Sequence, residues 1–321
     1  MYNDQYLRPE WRTAEKRAIR DGIGEGLLRI GENKDVVVLT ANLEKSTRTD
    51  KFAYKYTDRF FDVGVAEQNM AGIAAGLALE GKIPFMTSFA TFSPGRNWEQ
   101  IRVSIALTNA NVKIVSTHAG LSVGLNGPSH QALEDIALMR TLPKMTVLLP
   151  TDATQCAAAI EAAYKHVGPV YIRATRPETP DFTKDIPFEI GKAYVYREGK
   201  DVALFACGIQ VWDTLMAAEE LAKEGIECEV VNVSSIKPLD RLTIMKSARK
   251  TRIVVTLEDH NVMGGMGSVV AEFLSEFSPT HILRIGVSDQ FGVSGDYLEV
   301  YKRFGLERES LKERIKRFVK E

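Results

Sequence analysis

The sequence predicts an α/β protein of two domains, each built on a mainly parallel sheet. Three observations predict it: a length of 321 residues, an alternation of short β-rich runs with helical patterns along the chain, and a lapse in that alternation past residue 176. Single hydrophobic cores stop growing well below this length, so two domains of about 100–200 residues are expected. Strands separated by helical stretches read as βαβ units, whose crossovers make neighbouring strands parallel.

In the first part the strands are Val36–Thr40, Phe60–Val63, Pro84–Phe89, Val112–His118, Met145–Pro150 and Val170–Ala174, which makes six. Apolar residues three or four apart, Ile19, Ile23, Leu27 and Ile30, mark a helix before the first strand. Further helices are expected over Ala66–Gly81, Pro94–Asn109, Gln131–Leu142 and Thr154–Val167, with Asp152 and Ser93-Pro94 as start signals. After Arg176-Pro177-Glu178-Thr179-Pro180 the periodicity lapses through Pro187, as in an interdomain linker. The division is therefore 1–180, a linker 181–192, and a smaller α/β domain 193–321. That second domain carries strands Val202–Cys207, Ile226–Val233, Arg252–Glu258 and His281–Val287, and helices near 210–224, 239–249, 267–277 and 309–320. No internal repeat, low-complexity tract or heptad run interrupts the pattern.

Composition excludes several classes. With 45% hydrophobic and 26% charged residues the chain has ample apolar surface to bury, unlike a disordered or collagen-like one. A net charge of -1 gives no global field to recruit nucleic acid or an anionic membrane. Cys156, Cys207 and Cys228 are odd in number, far apart and outside any Cys-x-x-Cys pair, so they read as small core residues in a reducing compartment. No run spans a bilayer and Met1 to Arg20 lacks the apolar core of a signal peptide, so a cytoplasmic location is expected.

In open α/β sheets ligands collect beyond the carboxyl ends of the strands. Three segments there hold candidate chemistry. Gly64-Val65-Ala66-Glu67-Gln68-Asn69-Met70 places a carboxylate in the first turn of a helix rich in small residues. By spacing alone Glu67 is a partner of the helix dipole, yet close packing of that helix would desolvate it and raise its pKa. Ser88-Phe89-Ala90-Thr91-Phe92 sets two aromatic residues three apart, ordinarily a core pair. The loop Thr117-His118-Ala119-Gly120-Leu121-Ser122-Val123-Gly124-Leu125-Asn126-Gly127-Pro128-Ser129-His130-Gln131 holds two of the chain's five histidines among three glycines. A long glycine-rich loop at a strand's carboxyl end is more often a binding loop than filler.

In this order and separation the three strings resemble the pyrimidine-binding part of transketolase, over nearly the whole chain. In the second domain Thr256-Leu257-Glu258-Asp259-His260-Asn261, followed by Gly264-Gly265-Met266-Gly267-Ser268, resembles the transketolase C-terminal domain; alone, those glycines would be a helix-start nest. The resemblance implies a six-stranded pyrimidine-binding domain for thiamine diphosphate, followed by a smaller C-terminal domain. Related enzymes hold the diphosphate and its metal through a Gly-Asp-Gly string in a separate domain. No such string occurs here, and Gly295-Asp296-Tyr297 lacks the second glycine. The resemblance is therefore to the C-terminal subunit of a two-component transketolase, in which an N-terminal subunit supplies the diphosphate site and a magnesium or calcium ion, with no metal ligand expected on this chain.

Site residues follow by the same resemblance. Glu67 meets a pyrimidine ring nitrogen and needs an apolar setting that favours a shared or retained proton. Phe89 and Phe92 pack on the pyrimidine, and Asn42 lies near the cofactor. His118 and His130 move protons near neutral pH; His118, Asn126, Arg176 and Ser46 bind the sugar phosphate. At Asn42 and Asn126 the family usually has aspartates, and an amide loses the charge. The implied reaction is two-carbon ketol transfer from a ketose phosphate to an aldose phosphate in pentose phosphate metabolism, by a heterotetramer with two copies of each chain. Homodimer contacts are also implied, with the helix Ala66–Gly81 as a candidate contact. Two alternatives stand beside it: a 2-oxo acid donor such as pyruvate, as in deoxyxylulose-phosphate synthase and the beta chains of 2-oxo acid dehydrogenases, and a non-catalytic structural or regulatory partner.

Overall fold

The computed structural model describes residues 1–321 and contains two main sheets. The larger has seven strands, in the order Ser235–Lys237, Thr146–Leu148, Val170–Arg173, Lys113–Thr117, Ile83–Phe89, Val36–Thr40 and Phe60–Asp62. All neighbours are parallel except Ser235–Lys237, which runs antiparallel to Thr146–Leu148. The six expected strands are present; the seventh comes from the second half of the chain. Three residues at a sheet edge are too few to show a period of two, so this strand leaves no pattern in the sequence. Central strands such as Val36–Thr40 bury all five residues, as strands covered on both faces must.

The smaller sheet runs His281–Val287, Ile253–Asn261, Val202–Ala206, Cys228–Asn232 and Tyr194–Arg197, the last antiparallel at the edge. Tyr194–Arg197 is an addition to the four strands expected there, as is the short antiparallel pair Lys16–Ala18 with Glu178–Pro180. Two short helices, Asp50–Lys55 and Tyr297–Phe304, are likewise additions. No helix is long and apolar enough to cross a membrane.

Asp152 does start a helix, Ala153–Lys165, by accepting the Gln155 N–H at 2.8 Å, and its second oxygen accepts from Phe182 and Thr183. The helix Asp21–Ile30 packs flush on that helix because Gly22 has no Cβ; one placed there would lie 2.1 Å from the Ala153 carbonyl oxygen. Two expected helices are shorter than their patterns. After Ser93-Pro94 the chain stays in turns until Trp98, with the Arg96 N–H on the Phe92 carbonyl at 2.9 Å; a π-helix, Ile101–Ala106, follows. Gln131 is withheld from the helix Asp135–Arg140 because its amide donates to the Leu121 and Val293 carbonyls.

A buried polar network joins the sheets. Asp259, on the strand Ile253–Asn261, accepts the Leu121 N–H at 2.8 Å on one carboxylate oxygen, and the Tyr301 hydroxyl at 2.7 Å and Ser122 N–H at 3.4 Å on the other. Its carbonyl accepts from Arg173, whose Nε donates to Asp135 at 2.8 Å beside the Tyr171 hydroxyl. Gly120 makes the clamp possible: with φ of 78° it suits only glycine, and a Cβ would fall 2.1 Å from the Asp259 carboxylate. Neighbouring Glu258 fills the suspected nest itself, accepting the Met266 and Gly267 N–H groups at 2.7 and 2.9 Å, and burial pushes its carboxyl up to about 7.

Asp259→Ala would orphan two buried N–H groups and a tyrosine hydroxyl, at roughly 1–3 kcal/mol each before water relieves part of it. Urea unfolding should show a loss of about 3 kcal/mol, and hydrogen exchange should quicken across 119–131 before the sheet strands respond. Unchanged protection of that loop would remove Asp259 from the role of clamp.

Candidate active site

At the carboxyl ends of Ile83–Phe89 and Lys113–Thr117 the structure gathers five of the expected residues into one cluster. Glu67 opens the helix Glu67–Leu79 and is 1% exposed. Its Oε2 accepts from Arg96 Nη1 at 2.8 Å, and Ser88 Oγ lies 3.4 Å from Oε1. The expected apolar setting is thus corrected: burial is present, but a guanidinium is paired with the carboxylate. Arg96 also sits 4.4 Å over the ring of Phe92. Phe92 stacks with Phe89 at 5.8 Å between centroids, and Phe89 stacks with the His118 imidazole at 3.8 Å. His130 meets Phe92 edge-on at 5.4 Å, with Ser129 Oγ 2.9 Å from its Nδ1. The two phenylalanines are therefore a shared wall between the acid and the histidines, in place of an isolated core pair.

His118 follows its strand directly, at φ 54°, a left-handed conformation in which histidine is enriched among non-glycine residues. Its Nε2 faces Arg20 Nη1 at 3.4 Å and its Nδ1 lies 2.8 Å from Thr117 Oγ1. A guanidinium has no acceptor, so Nε2 is the unprotonated nitrogen and the neutral ring carries its proton on Nδ1, toward Thr117. Burial, then the Arg20 and Arg176 cations, push the His118 pKa down to about 3.

Arg20 was missed by sequence reasoning, because one cation beside a helix start carries no pattern. It donates to the Ser46 carbonyl at 2.9 Å, so Ser46 and His118 are joined through it. Burial and the nearby Arg48 push its pKa down to about 10, and its buried Nε has no partner. Arg176, held at 3.0 Å on the Val123 carbonyl, lines with Arg20 a cavity of about 280 Å³. Gly124, Asp296 and Tyr297 line it as well, so the second domain contributes to the site. Gly295-Asp296-Tyr297 has a local reason to be there: Asp296 caps the helix Tyr297–Phe304 through the Leu298 N–H at 2.9 Å. Two guanidinium groups lining one cavity suit an anion.

Asn42 and Asn126 are not drawn into the cluster by any hydrogen bond. Asn42 is exposed at φ 59° with its backbone N–H on Asp62, and Asn126 is exposed at the end of the 3-10 segment Leu121–Asn126. Arg96 was also missed: a spacing of four from Phe92 signals a cation over a ring only in a helix, and this segment is a turn.

The chain is similar to known proteins over most of its length. The family model "Transketolase, pyrimidine binding domain" matches residues 15–181 and "Transketolase, C-terminal domain" matches 191–311. The chain is 44% identical to the 6-deoxy-6-sulfo-D-fructose transketolase subunit SqwH of a Clostridium species, covering 91% of each chain. It is 36% identical to an apulose-4-phosphate transketolase subunit of Phocaeicola vulgatus, over 94% of this chain and 98% of that one. Among solved structures it is similar to a split gene transketolase, an inactive beta4 tetramer, with 46% identity, a TM-score of 0.88, and coverage of 94% of this chain and 98% of the other.

A titration of the free chain checks the electrostatics. The His118 ring carbons and nitrogens should keep neutral-imidazole chemical shifts by NMR down to about pH 4, in line with a pKa pushed to about 3. An inflection near the ordinary value of about 6.5 would mean that the ring is not buried beside the arginines as described.

Proposed function

We propose that this chain, which belongs to the transketolase family, is the C-terminal subunit of a thiamine-diphosphate-dependent transferase, active only with an N-terminal diphosphate-binding subunit. The reaction is two-carbon ketol transfer from a ketose phosphate, or a ketose with a similar terminal anion, to an aldose phosphate. One observation carries this reading: a buried carboxylate, two stacked phenylalanines and two histidines run without a break into an arginine-lined cavity.

The residues fit the pyrimidine half of the cofactor. Glu67 Oε1 has only the long Ser88 contact and is free to meet a ring nitrogen, while Phe89 and Phe92 offer an aromatic wall beside it. When bound, thiamine diphosphate supplies the carbon that accepts and passes on the ketol unit. Glu67 holds a proton in common with the pyrimidine. His118 is neutral, and its Nε2, which faces Arg20 in the free chain, takes a sugar hydroxyl only in place of that donor, while His130 exchanges protons with the oxygens of the reacting carbonyl. Arg20 and Arg176 hold the terminal anion, with Ser46 alongside. A phosphate and a sulfonate share the tetrahedral anionic shape, and the two relatives above are named for ketoses bearing one or the other. Asn126 would meet a substrate hydroxyl as an uncharged amide, and Asn42 stands nearer the cofactor.

The metal ion and the diphosphate belong, on this reading, to the partner chain. The helix Glu67–Leu79 leaves Gly72, Ile73, Gly76 and Leu79 exposed with no neighbour above the two glycines, and exposed Val65, Val103 and Leu107 add apolar surface. Such a face supports burial against a second chain, in a heterotetramer with two copies of each. A cytoplasmic location goes with this reading.

The purified chain should show negligible ketol transfer, restored by the partner, in an assay that sets xylulose 5-phosphate beside pyruvate. Full activity of the chain alone would overturn the split-enzyme reading, and turnover of pyruvate only would replace the donor. Arg176→Ala in the assembled enzyme should raise KM for phosphorylated donors about 30-fold, the loss of roughly 2 kcal/mol for a charge-assisted hydrogen bond, with little change for unphosphorylated hydroxypyruvate. Equal loss for both donors would remove Arg176 from the anion site.

A further inference from the structure

We infer that Arg96 is the positioning residue of the catalytic carboxylate, an inference that rests on the reading of Glu67 given above. A carboxylate has two oxygens, and here they are unequal: Oε2 is held by Arg96 Nη1 at 2.8 Å, while Oε1 faces only a hydroxyl at 3.4 Å. The ion pair therefore leaves one oxygen for the pyrimidine and fixes the plane in which it lies. The same guanidinium rests 4.4 Å above Phe92, so one side chain sets the acid and its aromatic wall together. Arg96 is itself anchored at both ends of its backbone, its N–H on the Phe92 carbonyl at 2.9 Å and its carbonyl accepting from Gln68 at 3.4 Å. Asn97, the next residue, donates to the Glu67 carbonyl at 3.0 Å, which ties the start of the helix to the same turn.

The turn exists to make this reach possible. Residues 89–97 stay out of helix, and this folds Arg96 back over Phe92 toward Glu67 on the neighbouring helix. The Arg96 side chain is 47% exposed against 1% for Glu67, so its charge screens a buried acid from one side only. Glu67 is buried, so removing Arg96 leaves its carboxylate without a partner, and fold and geometry are read separately in the Arg96 variants.

The test is a double-mutant cycle in the assembled two-chain enzyme, read by calorimetric titration of thiamine diphosphate with magnesium and by exchange of the cofactor's C2 hydrogen. Arg96→Gln should weaken cofactor binding and slow exchange, each about tenfold, and Arg96→Lys should recover part of the loss because it keeps the charge but not the planar fork. In a Glu67→Gln background Arg96→Gln should have no further effect, because the residue acts through Glu67. An equal loss in both backgrounds, or no loss in the Arg96→Gln single variant while Glu67→Gln abolishes exchange, overturns the positioning role and leaves Glu67 in place. Undiminished exchange in Glu67→Gln overturns the Glu67 reading and this one with it. Melting temperatures of the Arg96 variants within a few degrees of the parent keep the comparison on geometry.

Discussion

The site depends on a contact between the two sheets, the Asp259 carboxylate against the backbone of Leu121 and Ser122. A loop with three glycines has no reason of its own to hold one shape, and each ordered residue costs about 1–2 kcal/mol of backbone entropy. The clamp supplies the missing constraint from outside the loop. Burial pushes the Asp259 carboxyl up, and the Arg173 cation, the Tyr301 hydroxyl and the two N–H groups oppose that shift. With the clamp set, the Arg176 guanidinium finds the Val123 carbonyl, Gly124 meets the start of the helix Tyr297–Phe304, and His118 and His130 converge on the two phenylalanines. The second domain is thus part of the site through its backbone contacts as well as through Tyr297.

This arrangement explains what could be read beforehand. Strands buried on both faces announce themselves as apolar runs, so the six strands of the first part and four of the second were visible to within three residues of their ends. The local motifs were visible because their strings, in that order, resemble a known family: Glu67 opens a helix, Phe89 ends a strand, His118 follows one, and Phe92 and His130 lie in the turns beyond. What escaped were pairings between distant segments. Ser235–Lys237 joins a sheet nearly ninety residues earlier in the chain, and no local period marks that. Arg20 looks like an ordinary surface cation until Ser46 and His118 close around it, and Glu67 looks apolar until Arg96 arrives from the turn beyond Phe92. Each miss at the site involved a charged group whose partner lies on another element.

The charges also decide what the cavity accepts. Arg20, Arg48 and Arg176 stand near His118: burial first, then these cations, push the His118 pKa down to about 3, and burial with Arg48 pushes that of Arg20 to about 10. The buried Nε of Arg20 has no partner. An anion entering the cavity would offset the Arg20 and Arg176 charges. Burial, with the arginines beside it, keeps the His118 ring neutral. On the opposite side of Phe89 and Phe92 the polarity is reversed, with a buried carboxylate and its single arginine. The phenylalanine pair thus separates the arginine-lined cavity from the buried Glu67–Arg96 pair.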